Sequence, residues 1–330
     1  MFSTGIDVSA KTLDVVVRIN GKRRHRRFNN DGPGIGKLIE WLKPFGPVRV
    51  SMEATGVYYL DLAFALVGAD IPLMVVNPRQ ARRFVEALGR NQQTDASDAA
   101  DLAEFGERMD FVAWKAPSKQ AFTVHKLGRS INLLTRQHTA YLNRLHAAEA
   151  AELTPPEVVA LMRNSLRFIE REQAKLVRKV AQLIAADAAM ARRLALLKSA
   201  TGIAEASAPA ILAELIVLPE GLSAKAWVKL AGLDPTTKQS GTSVSTKPRI
   251  SKRGNARLRA ALYMPAMCAR SHDAHLRAFA DRLSARGKTG NQVILAVARK
   301  LLHGIHAMFH SDQPWDSQRL VSTEKHSEAA

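Results

Sequence analysis

Four carboxylates and one cluster of hydroxyls carry the chemistry this chain could perform. Asp7 lies in Gly5-Ile6-Asp7-Val8, an acid in mid-strand between apolar neighbours. A lone carboxylate buried there costs several kcal/mol, so it calls for a cation or a hydrogen-bond donor. Glu53 closes the alternating run Val48 to Glu53 and precedes Ala54-Thr55-Gly56, a turn that leaves the acid at a strand end. Asp95 and Asp98 sit in Thr94-Asp-Ala-Ser-Asp at the start of a helical pattern. Their spacing of three puts both on one helical face. Four acids on neighbouring strand ends and one helix form the donor set that two Mg²⁺ ions, about 3.5–4 Å apart, use in phosphoryl transfer. Singly, three of them have plainer uses. Glu53 fits the solvated face of a strand, and Asp95 and Asp98 fit the positive end of a helix dipole behind a Thr94 N-cap. Asp7 is the hardest to explain without a metal.

The hydroxyls lie in the most basic stretch of the chain. Residues 238–260 hold Lys238, Lys247, Arg249, Lys252, Arg253, Arg257 and Arg259 and no Asp or Glu, with Ser240-Gly-Thr-Ser243 among them. Such a run needs a polyanionic partner, and a hydroxyl inside it could be delivered to a phosphate. The whole chain leans the same way, with 48 Lys and Arg against 30 Asp and Glu in 330 residues. That bias favours nucleic acid or an anionic membrane surface as partner. No apolar run reaches the ~18 residues of a membrane span, and the N-terminus shows no signal-peptide pattern. The single cysteine, Cys268, excludes internal disulfides and a cysteine-rich zinc site, and suits a reducing cytoplasm. Aromatic residues are only 6% and none interleave the basic run, which argues against base stacking as the main grip. His303, His306 and His310 share one helical face, but no Cys is near and only Asp312 could assist. They are expected to face solvent or phosphate rather than a metal.

The elements that must position these groups fall into an α/β part and an α part. Thr4 to Val8, Leu13 to Ile19, Lys22 to Phe28, Val48 to Glu53 and Ile71 to Val76 read as strands, with helices over Ile35 to Leu42 and Val57 to Val67. Three antiparallel strands followed by helix, strand, helix and strand match an RNase H-like fold. Farther on, Val124, Leu127, Ile131, Leu134, His138, Tyr141, Leu145 and Ala148 follow alternating three- and four-residue steps. The same spacing returns after Pro155-Pro156 in Met162, Leu166, Ile169, Gln173, Leu176, Val180 and Leu183. This heptad seam fits either an antiparallel hairpin within one subunit or a dimer-forming coiled coil. Leu197 to Leu215 suggests a helix-hairpin-helix, in which helix N-terminal N–H groups can hold a phosphate. The expected domains are 1–112 (RuvC-like), 113–195 (helical hairpin or coiled coil) and 196–316 (mainly helical, with the serine loop). Residues 317–330 are expected to be a disordered tail.

Taken together, GIDVSAKTLDV, EATG and TDASDA resemble, in order and spacing, the three blocks of the DEDD-type RuvC-like transposases of the IS-one-ten insertion-sequence family. Ala231-Gly-Leu-Asp-Pro235, Ser240-Gly-Thr-Ser243 and Leu262-Tyr-Met-Pro-Ala-Met267 resemble that family's C-terminal transposase domain. Two positions depart from the pattern: Asp234 stands where threonine is usual, and Ala204 replaces a glycine of the hairpin turn. The resemblance implies a recombinase guided by a structured bridge RNA whose loops pair with donor and target double-stranded DNA. It implies that Asp7, Glu53, Asp95 and Asp98 bind Mg²⁺ and that Ser240, directly before the glycine, attacks the scissile phosphate, with Ser243 as the alternative. It also implies a homo-oligomer, dimer or tetramer, whose active sites join acids of one protomer to a serine of another, acting in the cytoplasm at the nucleoid. Competing functions are a junction-resolving nuclease without a covalent step and a non-catalytic nucleic-acid scaffold. A sugar-kinase-like ATPase shares the opening Gly-Ile-Asp strand but would need Gly-rich phosphate loops that the sequence does not offer.

Overall fold

A computed structural model of the chain describes residues 1–54, 56–90, 94–237, 239–240, 244–245 and 249–322. Two compact units divide it, Met1–Ala116 and Pro117–Ala330.

The first unit is built on β1 (Phe2–Val8), β2 (Thr12–Ile19) and β3 (Lys22–Asn29), followed by α1 (Gly32–Leu42). Then come β4 (Val48–Glu53), α2 (Leu60–Gly68), β5 (Leu73–Val76), α3 (Pro78–Ala87) and α4 (Asp95–Arg108). The five strands form one sheet in the order β3-β2-β1-β4-β5. β1, β2 and β3 pair antiparallel, while β4 and β5 run parallel to β1. This is the RNase H-type sheet expected from the sequence. Alternation along each strand sorts the side chains. Ile6, Val8, Leu13, Val15, Val17, Val50 and Met52 face a core shared with Leu38 and Leu42 of α1 and Leu62 and Leu66 of α2. Gly5, Asp7, Asp14, Ser51 and Glu53 therefore point to the other face, which α4 covers.

That coverage is unusually close. A Cβ on Gly5 would lie 1.9 Å from the Ala99 carbonyl oxygen and 2.3 Å from the Ala103 nitrogen. Gly106 repeats the device at the far end of the helix, where a Cβ would meet Ser51 Oγ at 2.2 Å. Ser3 Oγ donates to the Ala103 carbonyl at 2.6 Å, pinning the same helix. Local signals start the helices. Asp31 caps α1 through Gly34 N, and Thr94 with Ser97 forms a capping box on α4. Asn77 caps α3 by accepting from Arg79 N, with Pro78 at the first helical position. The expected helix at Val57 starts at Leu60, after a turn.

The second unit is helical. α5 (Lys119–Glu149) and α6 (Pro156–Ala185) form an antiparallel hairpin whose break falls at Pro155-Pro156. The heptad seam closes within one chain: Val124, Leu166, Ile169 and Val180 are buried, and polar pairs cross the helices. His138 Nε2 meets Glu170 Oε1 at 3.0 Å, and Gln173 Nε2 donates to Thr135 Oγ1 at 3.0 Å. α7 (Ala188–Ser199), α8 (Ala208–Leu215) and α9 (Ala224–Leu230) follow. The short strands β6 (Pro235–Thr236) and β9 (Arg249–Ile250) pair around a second two-stranded ladder, β7 (Gln239–Ser240) with β8 (Val244–Ser245). α10 (Ala256–Ala261), α11 (Tyr263–His272), α12 (Ala274–Ala285), α13 (Gly290–Ser311) and α14 (Arg319–Ser322) complete the unit. The expected hairpin turn between α7 and α8 does not open toward a ligand at its glycine. Gly202, at φ +90°, is backed by α11, where a Cβ would meet the Pro265 carbonyl at 2.4 Å. The tail expected to be disordered from Ser317 instead begins with α14, and Leu320 packs on the core; residues 323–330 lie outside the described residues. Among the described residues no helix is long and apolar enough to cross a membrane.

One buried polar cluster ties α5, α8 and α10 together. Glu214 of α8 accepts from Arg129 Nε and Nη2, both at 3.1 Å, and from Asn255 Nδ2 at 2.5 Å. His125 donates through Nδ1 to the Ala213 carbonyl at 2.7 Å. Burial holds His125 below its ordinary 6.5, only partly opposed by that hydrogen bond. Burial alone would raise Glu214, but the hydrogen bonds from Arg129 and Asn255 outweigh it and hold the carboxyl below 4.5.

Two outcomes are expected. Gly5→Ala forces α4 off the sheet and destabilises the first unit by about 3 kcal/mol in denaturant unfolding, whereas Gly32→Ala, with open space around it, changes little. The second unit weakens in acid in two windows. The unfolded chain protonates His125 first, so stability falls as pH drops below 6.5; the Glu214 contribution is present above 4.5 and is lost as pH falls through its lower folded value. Glu214→Gln removes the second window and, by taking away a charge that raises His125, deepens the first. At pH 7 it costs about 2 kcal/mol, less than a fully buried pair because the Arg129 side chain is 37% exposed. Thermal melts from pH 3 to 8 separate the two windows.

Candidate active site

The face of the sheet under α4 gathers acids from four elements. The β1–β2 register sets Asp7 opposite Asp14, and the β2–β3 register sets Asp14 opposite Arg27. Glu53 ends β4 on the same face, and α4 lays Asp95, Asp98, Asp101 and Glu104 above it. A cavity of about 630 Å³ is lined by Asp7, Glu53, Asp98 and Asp101, with Arg82 and Arg90 at its wall.

These carboxylates divide into two sets by their partners. Glu104, almost fully buried, is ringed by Arg18 at 3.2 Å, Arg90 at 2.8 Å and Arg108 at 2.6 Å, and Arg90 also donates to Asp101. Asp14, equally buried, is held by Arg27 at 2.9 Å and His25 at 2.8 Å. Asp7 and Asp98 have no cationic partner among the described residues. Burial, then the charges of Asp98, Asp95, Asp14 and Glu53, push the Asp7 carboxyl up to about 6. Burial, then Asp101, Asp95 and Glu53, also raise Asp98. Elsewhere on this face each buried carboxylate has its arginine; at Asp7 and Asp98 the negative charge is left for something else to neutralise.

The residues singled out in the sequence are thus placed unequally. Asp7, Glu53 and Asp98 line one cavity. Asp95 sits one helical turn away from Asp98 and is held by Arg27 Nη2 at 3.0 Å. Oxygen donors in this number suit a hard divalent cation such as Mg²⁺. No three His, Cys, Asp or Glu among the described residues stand together as a group that could hold a metal ion. Asp14, Asp101, Arg27 and Arg90 were not anticipated. Asp14 could have been: Leu13-Asp14-Val15 has the same mid-strand acid between apolar residues as Ile6-Asp7-Val8.

Ser240 belongs to the second unit, on β7, paired with Val244 of β8. Ser243, Lys238 and Lys247 lie outside the described residues. Arg249 on β9, Lys252, Arg253 and Arg257 are exposed. Arg259 is not free in the same way: its Nη1 donates to the Ala231 carbonyl at 2.8 Å. Asp234, the departure from the family's threonine, accepts from Ser251 Oγ and so ties the two ends of the serine segment. The three histidines do not form the solvent-facing set expected of them. His306 meets the Leu222 carbonyl at 2.7 Å and packs edge-on to Trp227, and burial followed by the nearby Arg299 and Lys300 lowers His303 to about 4.

A β3-β2-β1-β4-β5 sheet with acids gathered beneath a crossing helix, joined to a helical unit bearing a basic segment, defines the class: an RNase H-type α/β domain with a helical C-terminal region. Residues 4–148 match the model of the DEDD transposases of the IS110 type, described as a transposase, and residues 194–281 match the "Transposase IS116/IS110/IS902 family". Between them the two matches span most of the sequence, and the chain belongs to the IS110 transposase family, whose members are DNA recombination enzymes. A pilin gene-inverting protein of Moraxella bovis is 26% identical over 319 residues, covering 95% of this chain and 97% of that protein. An uncharacterized 43.6 kDa protein of insertion element IS110 from Streptomyces coelicolor is 35% identical over 94 residues, 28% of this chain and 23% of that protein. The structure of T. thermophilus RuvC in complex with a Holliday junction substrate is 18% identical with a TM-score of 0.27, covering 34% of this chain and 98% of that one. At that level it adds nothing to the sheet order already described.

If Asp7 and Asp98 await a divalent ion, Mg²⁺ stabilises the wild-type protein. At tenfold over its dissociation constant the gain is about 1.4 kcal/mol, a shift of a few degrees in melting temperature. Asp7→Asn and Asp98→Asn abolish that shift, and a wild-type melt indifferent to Mg²⁺ would remove the metal site.

Proposed function

We propose that the chain is the recombinase of an insertion element, cutting and rejoining DNA strands through a phosphoserine on Ser240. In this reading Asp7, Glu53, Asp95 and Asp98 hold two Mg²⁺ ions, and a structured bridge RNA selects donor and target DNA. The observation that carries it is the unneutralised pair Asp7 and Asp98, in a cavity whose other buried acids are matched by arginines. Bound there, Mg²⁺ supplies positive charge at the scissile phosphate and favours the deprotonated form of an attacking hydroxyl.

The chain's own groups do the rest. Ser240 Oγ gives up its proton and bonds to phosphorus, while the bond from phosphorus to the departing DNA oxygen breaks and that oxygen takes up a proton. The phosphoester is kept, so a DNA hydroxyl can later attack the phosphoserine and free Ser240 without an external energy source. A serine hydroxyl is a weak nucleophile and needs this activation. Lys238, Lys247, Arg249, Lys252, Arg253, Arg257 and Arg259 would hold phosphates around it, with Arg259 also fixing the loop through Ala231. Guide pairing would supply the sequence specificity that few aromatic or base-reading side chains could. The working form in this reading is a homo-oligomer, a dimer or tetramer, acting on DNA at the nucleoid.

Trapping on a nicked DNA substrate tests the covalent step. Ser240→Ala, made alone and together with Ser243→Ala, should eliminate the covalent protein–DNA product and lower strand exchange at least 10³-fold. Persistent cleavage by both variants would instead identify a junction nuclease. A discrete structured RNA should copurify with the wild-type protein; random fragments would count against guidance.

A further inference from the structure

The densest positive charge of the first unit lies on β3, where Lys22, Arg23, Arg24, Arg26 and Arg27 surround His25. All six residues are exposed, and β3 is the edge of the sheet, with no strand beyond it among the described residues. Arg27 and His25 are engaged with Asp14, and Arg26 lies over the Phe28 ring at 5.2 Å. Lys22, Arg23 and Arg24 form no ion pair among the described residues. One or two charges suffice to keep an edge strand from pairing with another sheet. Five cations in six residues exceed that need and repel one another along the strand.

A polyanion would relieve that repulsion, and the rest of the chain is a poor candidate. Residues 1–116 hold 16 of the 48 Lys and Arg and 14 of the 30 Asp and Glu, leaving 32 basic against 16 acidic residues beyond. Alternation sets Lys22, Arg24 and Arg26 on the face of Phe28 and Arg23 and Arg27 on the face of Asp14, with about 6.7 Å between neighbours on a face, so a phosphate backbone lying along the free edge meets cations from both faces. The track also leads somewhere. Arg27, at its end, bonds Asp14 and Asp95, and Asp14 stands opposite Asp7 in the sheet.

We propose that β3 docks the phosphodiester backbone of the DNA strand to be cut and conducts it toward the acid cavity. The identity of that strand rests on the proposed acid site; the docking itself does not. The test uses the full-length protein with EDTA present, so that no catalysis enters, and measures duplex DNA binding against salt. Lys22→Gln/Arg23→Gln/Arg24→Gln should make the log–log salt slope shallower by about 2–3, at ~0.9 per phosphate contact. Affinity at low salt should fall at least tenfold, with the thermal melt unchanged. An unchanged slope for DNA overturns the proposal, as does a loss confined to structured RNA. Asp98→Asn separates the two readings: if it leaves recombination intact the acid site fails, while the β3 slope change stands or falls by itself.

Discussion

Everything in the first unit depends on how closely α4 lies against β1. The helix backbone touches the strand at Gly5, and Gly106 lets its far end settle on Ser3 and Ser51. Two missing side chains thus set the height of a helix that carries five acids over a sheet that carries three more. Were the helix held off by a methyl group, Asp98 would lose its place beside Asp7, and the arginines that reach Glu104 would no longer span the gap.

Bringing so many carboxylates together is costly, and the protein offsets only part of the cost. Arg18, Arg90 and Arg108 converge on Glu104, and Arg27 with His25 secures Asp14. These pairs act as a frame. Inside it Asp7 and Asp98 have no cationic partner among the described residues, and burial, followed by the charges of Asp98, Asp95, Asp14 and Glu53, raises the Asp7 carboxyl. A frame that neutralises its own acids and leaves two others bare is suited to a site that takes its charge from a ligand.

The second unit uses the same device for a different end. Glu214 binds Arg129 of α5 and Asn255, the N-cap residue of α10, and so anchors the far end of the basic segment to the helical core. Asp234 with Ser251, and Ala231 with Arg259, tie the residues before the segment to its second half. The described part of the serine segment is thereby held to the helical core, and Arg249, Lys252, Arg253 and Arg257 stay exposed.

Much of this was legible beforehand. Alternation along Thr4 to Val8 and Val48 to Glu53 determined which residues face the core, and so that Asp7 and Glu53 share the opposite face. The heptad steps and Pro155-Pro156 determined two long helices with a break between them, and Thr94 as N-cap determined where α4 begins. What the sequence left open was decided by contacts between distant residues. Whether the heptad seam closes within a chain depends on a partner surface, and here α6 supplies it. That Gly202 packs on α11, that His306 bonds Leu222, and that α14 folds back onto the core are all encounters more than 15 residues apart in sequence. The same holds for the site. Periodicity names the acids, but which of them keep a bare charge depends on where Arg18, Arg27, Arg90 and Arg108 end up, because an ion pair is a matter of ångströms in space and not of spacing along the chain.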